Sequence, residues 1–166
     1  MECVRNQWWC NGQSGDWLGQ LAIDTIDFAT LHVYPDVFHM SEWDIAGSED
    51  ETAIGWIKNH TLQAHAMKKP ILMEEFGYTN NMTQHIKFET YLDAGLSVGL
   101  DGWAVWMIAA LDDTLYHPPQ FPKYWKGGDA GLQVYCLKTS GDPQPPNDTE
   151  HDKESCTVLH LEANKW

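Results

Sequence analysis

The segment KKPILMEEFGY (residues 68–78) contains a short apolar run between a proline and a glycine. A continuous apolar run of this length is typical of a strand that is covered on both faces, as in a parallel sheet. Two adjacent carboxylates, Glu74 and Glu75, follow the apolar residues at the carboxyl end of this predicted strand. Because burial of an unpaired carboxylate costs free energy, each glutamate needs a partner, access to water or a chemical role.

Two similar runs lie on either side of this segment, DFATLHVYP (residues 27–35) and DGWAVWMIA (residues 101–109). A helix is predicted between the first two runs, because Ser48 and Glu51 have the spacing of a capping box and Pro70 stops the helix. Its apolar stripe is predicted to contain Ile54, Ile57 and Leu62.

A second helix is predicted in TQHIKFETYLDAGLSVG (residues 83–99), where Phe88, Leu92 and Leu96 share one face. Alternating strands and helices predict parallel strands with right-handed crossovers, which form either a doubly wound sheet or part of a (β/α)8 barrel. The glycine-rich phosphate loops that usually accompany the doubly wound sheet are absent from the sequence. The last residues, 156–166, are predicted to form a helix after a polar, proline-rich segment.

Composition excludes several classes of function. The chain has 166 residues, enough for one domain with a sizeable core, and nine tryptophans, a residue that fills cores and also forms carbohydrate-binding platforms. A formal charge of −14 makes nucleic acid and anionic membranes poor partners. The sequence lacks the H-E-x-x-H, paired C-x-x-C and G-x-S-x-G motifs, so neither a metal site nor a serine hydrolase site is predicted. No cofactor is predicted.

Polar and aromatic side chains cluster at the carboxyl ends of the three predicted strands, where α/β folds place their functional sites. The residues are His32 and Tyr34 on the first strand, Glu74 and Glu75 on the second, and Trp103 and Trp106 on the third. A purely structural interpretation stays open for His32, Tyr34 and Trp106, which are equally compatible with packing in a core. Glu75 is the strongest candidate for chemistry.

Three segments together resemble a known enzyme family. IDFATLHVYPD, WIKNHTLQAHAMKKPILMEEFGY and GWAVWMIAALDD are similar to the last three βα units of the endo-β-1,4-mannanases of glycoside hydrolase family 5. The resemblance covers roughly residues 20–137. It implies the α/β (β/α)8 barrel fold, here only its carboxyl-terminal part, about strands 6–8, plus an irregular tail. It also predicts that residues 1–137 belong to the catalytic barrel, and that residues 138–166 close the same domain.

The resemblance assigns roles to individual residues. The carboxylate before the aromatic-glycine pair is the family's nucleophile, which is Glu75 here, whereas strand alternation predicts that Glu74 points away from the barrel lumen to a structural partner. His32 and Tyr34 are expected beside the sugar, and Trp106 beneath it. The implied reaction is retaining hydrolysis of internal β-1,4-mannosidic bonds. A β-1,4-glucanase of the same family is the alternative.

The family's acid/base glutamate lies in an Asn-Glu motif upstream of these units, and this sequence has no Asn-Glu pair. The chain is therefore predicted to be a fragment that contains the nucleophile alone, or a catalytically inactive remnant that binds glycans. If the acid/base is present after all, Glu42 and Asp112 are the candidates.

Sequons at Asn59, Asn81 and Asn147 and four cysteines suggest a secreted glycoprotein. The expected disulfides are Cys3–Cys10 and Cys136–Cys156, although reduced buried thiols are the alternative. The expected partner is a mannan-type polysaccharide, with no nucleic acid and no membrane, and the complete enzyme is expected to be a monomer.

Overall fold

The computed structural model describes residues 16–42, 47–106 and 150–165. In chain order the elements are α1 (Trp17–Leu21), β1 (Ala29–Val33), a 3-10 helix (Met40–Glu42), α2 (Glu49–Ala66), β2 (Ile71–Phe76), α3 (Asn81–Leu96), β3 (Gly102–Val105) and α4 (Glu150–Ala163). The strands form one parallel sheet in the order β1-β2-β3. The predicted succession of strand, helix, strand, helix and strand is therefore confirmed. No helix within these ranges is long and apolar enough to cross a membrane.

The core lies between one face of the sheet and the crossover helices. Ile71, Met73 and Phe76 of β2 are fully buried, and the Phe76 ring meets the ring of Phe88 on α3 edge-on at 5.2 Å between centroids. Leu92 of α3 is buried with them. Because aromatic and branched side chains bury large apolar areas, this layer supplies most of the driving force for packing the helices on the sheet.

Helix α2 begins at the capping box that the sequence predicts. The Ser48 hydroxyl accepts a hydrogen bond from the backbone N–H of Glu51 at 3.3 Å, and the Glu51 carboxylate accepts one from the backbone N–H of Ser48 at 2.6 Å. Two donors of the first turn, which have no partner within the helix, are satisfied in this way.

Replacing Ser48 with alanine removes the acceptor for the Glu51 N–H, so we expect the free energy of unfolding to fall by about 1 kcal/mol. Urea titration followed by circular dichroism measures the change. The control is Ser41→Ala in the exposed 3-10 helix. Equal stability of the two variants would contradict a stabilising role for this cap.

The buried face of α2 differs from the predicted stripe. Ile57 is fully buried, as predicted, but Leu62 is 56% exposed, and Ala53 and Ala64 are fully buried beside Ile57. Thr61 is also fully buried, because its hydroxyl donates a hydrogen bond to the carbonyl of Ile57 at 2.8 Å. A threonine whose hydroxyl bonds to the backbone of its own helix can occupy a core position. A prediction based on hydrophobicity alone does not place it there.

The second predicted stripe is correct for Phe88 and Leu92, which are fully buried. Leu96, in the last turn of α3, is 37% exposed and does not continue it. Tyr91, also fully buried, widens the core-facing surface of the helix instead.

Helix α4 packs against α3. The Ser155 hydroxyl donates to Oε1 of Gln84 at 3.2 Å inside this interface, and Lys165 contacts Asp93 at 2.9 Å at its edge. The predicted terminal helix is thus present, and it begins earlier than the sequence pattern predicts. The assignment of residues 138–166 to the same domain stays a prediction.

A polar contact fixes the amino-terminal ends of β2 and β3. Oδ2 of Asp101 accepts hydrogen bonds at 2.9 Å from the backbone N–H of Ile71 and from Nε2 of His65. Partial desolvation raises the pKa of Asp101, but these two hydrogen bonds outweigh it and hold the pKa below its usual value.

A lowered pKa in the folded chain means that Asp101 stabilises the fold above its unfolded pKa and loses this effect as the pH falls through its folded pKa. We therefore expect Asp101→Asn to be less stable than the parent chain near neutral pH, with the difference shrinking as the pH falls through the folded pKa of Asp101. Since the side chain is 40% exposed, the loss should stay below about 1 kcal/mol. Urea titrations at several pH values check the trend, and a difference that grows at low pH would contradict it.

Candidate active site

The candidate site lies at the carboxyl ends of β1 and β2, on the face of the sheet opposite the core. Along β1 the side chains of Leu31 and Val33 are buried, and His32 between them points to the other face. Tyr34 follows at the end of the strand, and its ring packs edge-on against Phe38 with 5.4 Å between centroids. The packed aromatic interpretation of Tyr34 is therefore confirmed, while its place beside a sugar stays a prediction.

A β-bulge places both glutamates of β2 opposite a single residue of β1. Leu31 pairs with Met73, but the next residue, His32, pairs with Glu75, so that Glu74 is the additional residue. Beyond the bulge Phe76 enters the core, and Glu74 and Glu75 are left outside it. The predicted alternation of the two glutamates is therefore wrong, because the extra residue interrupts the two-residue period of the strand.

The two glutamates contact the same histidine. Nε2 of His32 lies 2.9 Å from Oε1 of Glu74, and Nδ1 lies 3.3 Å from Oε2 of Glu75. The Tyr34 hydroxyl donates a hydrogen bond to the same Oε2 of Glu75 at 2.9 Å. Glu74 thus has a partner, as expected, but that partner belongs to the candidate site.

These contacts orient the Glu75 carboxylate more than they stabilise the fold. The side chains of His32, Glu74 and Glu75 are 41%, 45% and 32% exposed, and ion pairs with this much exposure contribute little to stability. Oε2 of Glu75 accepts a hydrogen bond from Tyr34 and lies 3.3 Å from Nδ1 of His32, whereas Oε1 has no hydrogen bond to any residue in the described ranges. The Glu75 carboxylate is therefore oriented through its Oε2 by its neighbours on β1.

The two tryptophans of the third strand have different surroundings. Trp103 packs against the core, with its ring 5.9 Å from that of Phe76. Trp106 is half-buried at the end of β3, and its backbone N–H donates to the carbonyl of Phe76, the residue after Glu75. The structure therefore brings the backbone of Trp106 next to the candidate site, while its role as a sugar platform stays a prediction.

Asp36 connects the loops that follow β1 and β2, and sequence reasoning missed this contact. Its Oδ2 accepts hydrogen bonds from the backbone N–H of Thr79, at 2.8 Å, and from the Thr79 hydroxyl. Its Oδ1 accepts one from the backbone N–H of Val37 at 3.0 Å. An aspartate directly after Tyr34-Pro35 is a turn signal that points to such a local contact, although not to its distant partner.

Within the part of the chain that the structure describes, no three His, Cys, Asp or Glu side chains are grouped so that they could hold a metal ion. Asp112, one of the alternative acid/base candidates, lies outside the described residues. Glu42, the other, is exposed and contacts only His39, at 3.9 Å, among the described residues.

Comparisons with known proteins bear on the fold and the family resemblance of the chain. No protein-family model matches the chain. A mannan endo-1,4-β-mannosidase A of Aspergillus aculeatus is 36% identical over 97 residues, which is 57% of this chain and 23% of that enzyme. The matched region thus spans about a quarter of the relative's own length.

Solved structures show the same fold. The endo-β-1,4-mannanase of Thermotoga petrophila superimposes with a TM-score of 0.59 at 24% identity, covering 93% of this chain and 30% of the other. A glycoside hydrolase family 5 mannosidase of Rhizomucor miehei gives 0.54 at 17% identity, covering 85% and 40%. The three parallel βα units are therefore part of a (β/α)8 barrel. Together with the curated relative, these structures confirm the resemblance of the chain to the family 5 endo-mannanases.

Proposed function

We propose that this chain supplies the nucleophile of a retaining endo-β-1,4-mannanase, and that the nucleophile is Glu75. The observation that carries the proposal is the orientation of its carboxylate: Oε2 accepts a hydrogen bond from Tyr34 beside the His32 ring, and Oε1 has no hydrogen bond to the residues that the structure describes. The position at the carboxyl ends of barrel strands supports it, because the active sites of such barrels lie there. The name of the Aspergillus aculeatus relative supports mannan as the substrate.

In the proposed reaction, Oε1 of Glu75 attacks the anomeric carbon of a mannosyl unit. The bond from this carbon to the glycosidic oxygen breaks, and a second carboxyl group donates its proton to the departing oxygen. The resulting carboxylate then takes a proton from water, which attacks the anomeric carbon and releases Glu75. His32 and Tyr34 lie beside the sugar in this arrangement, and Trp106 provides an apolar surface beneath it.

The acid/base is proposed to lie outside these 166 residues, in an Asn-Glu motif of another barrel segment. Retaining hydrolysis needs two carboxyl groups about 5 to 5.5 Å apart. Glu74 is close to Glu75, but its Oε1 is paired with Nε2 of His32.

Secretion of the protein is also a proposal. Cys156 is disulfide-bonded, which favours an oxidising compartment. The other three cysteines lie outside the described residues, so the pairing of Cys156 with Cys136 stays a prediction. Asn59 is exposed on α2 and accessible to a glycan. A polysaccharide partner, the exclusion of nucleic acid and membrane, and a monomeric complete enzyme remain predictions.

The test uses a hybrid barrel in which residues 20–137 replace the matching segment of the Aspergillus aculeatus mannanase. Treated with an activated 2-fluoro-mannoside, the hybrid should accumulate a glycosyl-enzyme. The fluorine slows both steps of the reaction, but the good leaving group keeps formation of the glycosyl-enzyme faster than its hydrolysis. Peptide mass spectrometry should place the label on Glu75. Label on Glu74, or full activity without any label, would contradict the assignment.

The 166-residue chain alone serves as the second arm of this test. Without an acid/base it should hydrolyse mannan no faster than background, and robust hydrolysis would show that the acid/base lies within it. A hybrid that cleaves β-1,4-glucan in preference to mannan would instead support the glucanase alternative. A hybrid that binds mannan but never cleaves it would support the glycan-binding remnant.

A further inference from the structure

Glu74 has no role in the reaction described above, yet it lies closer to the His32 ring than Glu75 does. Its Oε1 lies 2.9 Å from Nε2 of His32, whereas the contact of the same ring with Glu75 measures 3.3 Å. The contact exists only because the bulge turns Glu74 to the face on which His32 lies. A regular strand would place successive side chains on opposite faces.

The contact constrains the histidine ring. An ionised carboxylate can only accept hydrogen bonds, so Nε2 must carry the hydrogen in the contact with Glu74. In the neutral ring the opposite nitrogen, Nδ1, then carries no hydrogen, so the ring borders Oε2 of Glu75 at 3.3 Å and the hydrogen bond to that oxygen comes from Tyr34. With the Tyr34 hydroxyl on the same oxygen, the ring defines one side of the nucleophile's position.

We propose that Glu74 is a positioning residue: it holds His32 through Nε2 so that the ring, together with Tyr34, keeps Oε1 of Glu75 directed at the substrate. This proposal rests on the proposed function, since it concerns the same nucleophile. The two adjacent glutamates then have different roles: Glu75 reacts with the substrate, and Glu74 orients the ring of His32. The exposure of the three side chains fits a role in orientation, because their pairing contributes little to stability.

The first experiment requires no activity. Nitrogen-15 spectra of histidine rings in the 166-residue chain should show His32 with its hydrogen on Nε2. In Glu74→Ala this preference should be lost, whereas in Glu74→Gln it should be partly retained because the amide oxygen still accepts a hydrogen bond. The control is Glu89→Ala, which removes an exposed glutamate from α3 and should leave the His32 signals unchanged. A His32 spectrum that is indifferent to Glu74→Ala would overturn the proposal.

The second experiment measures kinetics in the hybrid barrel. Glu74→Ala should lower kcat by about 10- to 100-fold with KM nearly unchanged, because a nucleophile displaced by a fraction of an ångström attacks more slowly. Glu74→Gln should recover much of the loss, since it restores the acceptor for Nε2. If kcat of Glu74→Ala equals that of the parent hybrid, or if KM alone changes, the positioning role is overturned.

Failure of the proposed function has a different signature. If Glu75 is not the nucleophile, the 2-fluoro-mannoside leaves it unlabelled even though the His32 spectra still respond to Glu74→Ala. If only the positioning role fails, Glu75 is labelled at the parent rate in Glu74→Ala. A variant that merely unfolds is recognised by its circular dichroism spectrum, and Glu74→Gln then replaces it in both measurements.

Discussion

Replacing Glu75 with glutamine in the hybrid barrel should lower kcat for mannan hydrolysis by at least about 1,000-fold, because removal of a covalent nucleophile leaves only binding and the remaining polar groups to act. The amide has nearly the same shape as the carboxylate and still accepts a hydrogen bond from Tyr34. The loss should therefore appear in kcat, with little change in KM. Release of reducing ends from mannan provides the measurement.

A matched control separates this effect from a change of surface charge. Glu89→Gln removes the same charge from the exposed side of α3, so its kcat should equal that of the parent hybrid. Retention of more than about one tenth of the parent kcat in Glu75→Gln would contradict a nucleophilic role.

Azide gives a positive test of the same assignment. In Glu75→Ala the small anion can occupy the space of the missing carboxylate and attack an activated β-mannoside from the nucleophile's side. The product should be the α-mannosyl azide, since a single displacement inverts the anomeric carbon. A β-azide, or no dependence of the rate on azide, would place the nucleophile elsewhere.

The elements of the fold were predictable because their signals are local. Ser48 and Glu51 are three residues apart, so the capping box is readable from the sequence and is present in the structure. The three apolar runs are bounded by proline, glycine or aspartate, and each contains an observed strand. Local chemistry therefore specified where the helices and strands lie.

The arrangement of the candidate site depended instead on long-range pairing. The register of β1 against β2 pairs residues that are far apart in the sequence, and the bulge that brings Glu74 to His32, 42 positions away, belongs to that pairing. The strand pattern of ILMEEF is compatible with strict alternation, which predicts opposite faces for the two glutamates. Strict alternation would bury Glu75 after Ile71 and Met73. The bulge buries the apolar ring of Phe76 instead, which avoids the cost of burying a carboxylate.

Charged residues were similarly difficult to interpret from sequence. Asp50 belongs to the acidic run SEDE (residues 48–51), and such runs usually form a solvated surface. In the structure, its carboxylate accepts hydrogen bonds from Lys87 at 2.6 and 2.7 Å and from the Tyr91 hydroxyl at 3.1 Å. Burial, followed by the charge of Asp50, raises the pKa of Tyr91 well above its usual value. A contact between α2 and α3 thus fixes the orientation of two crossover helices, and no local pattern encodes it.

The core under the site provides the last prediction. Phe88→Ala should reduce the free energy of unfolding by about 3 to 5 kcal/mol, because the phenyl ring is fully buried and its removal leaves a cavity against Phe76. A loss of this size approaches the whole stability of many domains, so the variant should be largely unfolded at moderate temperature. Urea titration of the chain, followed by circular dichroism, measures the change.

Phe88→Leu keeps the measurement possible if the alanine variant fails to fold, since it removes less volume and should cost less. The control is Ile86→Ala on the same helix, where the side chain is 52% exposed and the expected loss is below about 1 kcal/mol. Phe76 is packed in the core immediately beyond the bulge. Weakening its contact with Phe88 should therefore also allow Glu74 and Glu75 to shift in their pairing with β1. The ring spectrum of His32 in folded Phe88→Leu reports this directly, and an unchanged spectrum with lowered stability would show that the bulge is fixed by the strand pairing alone.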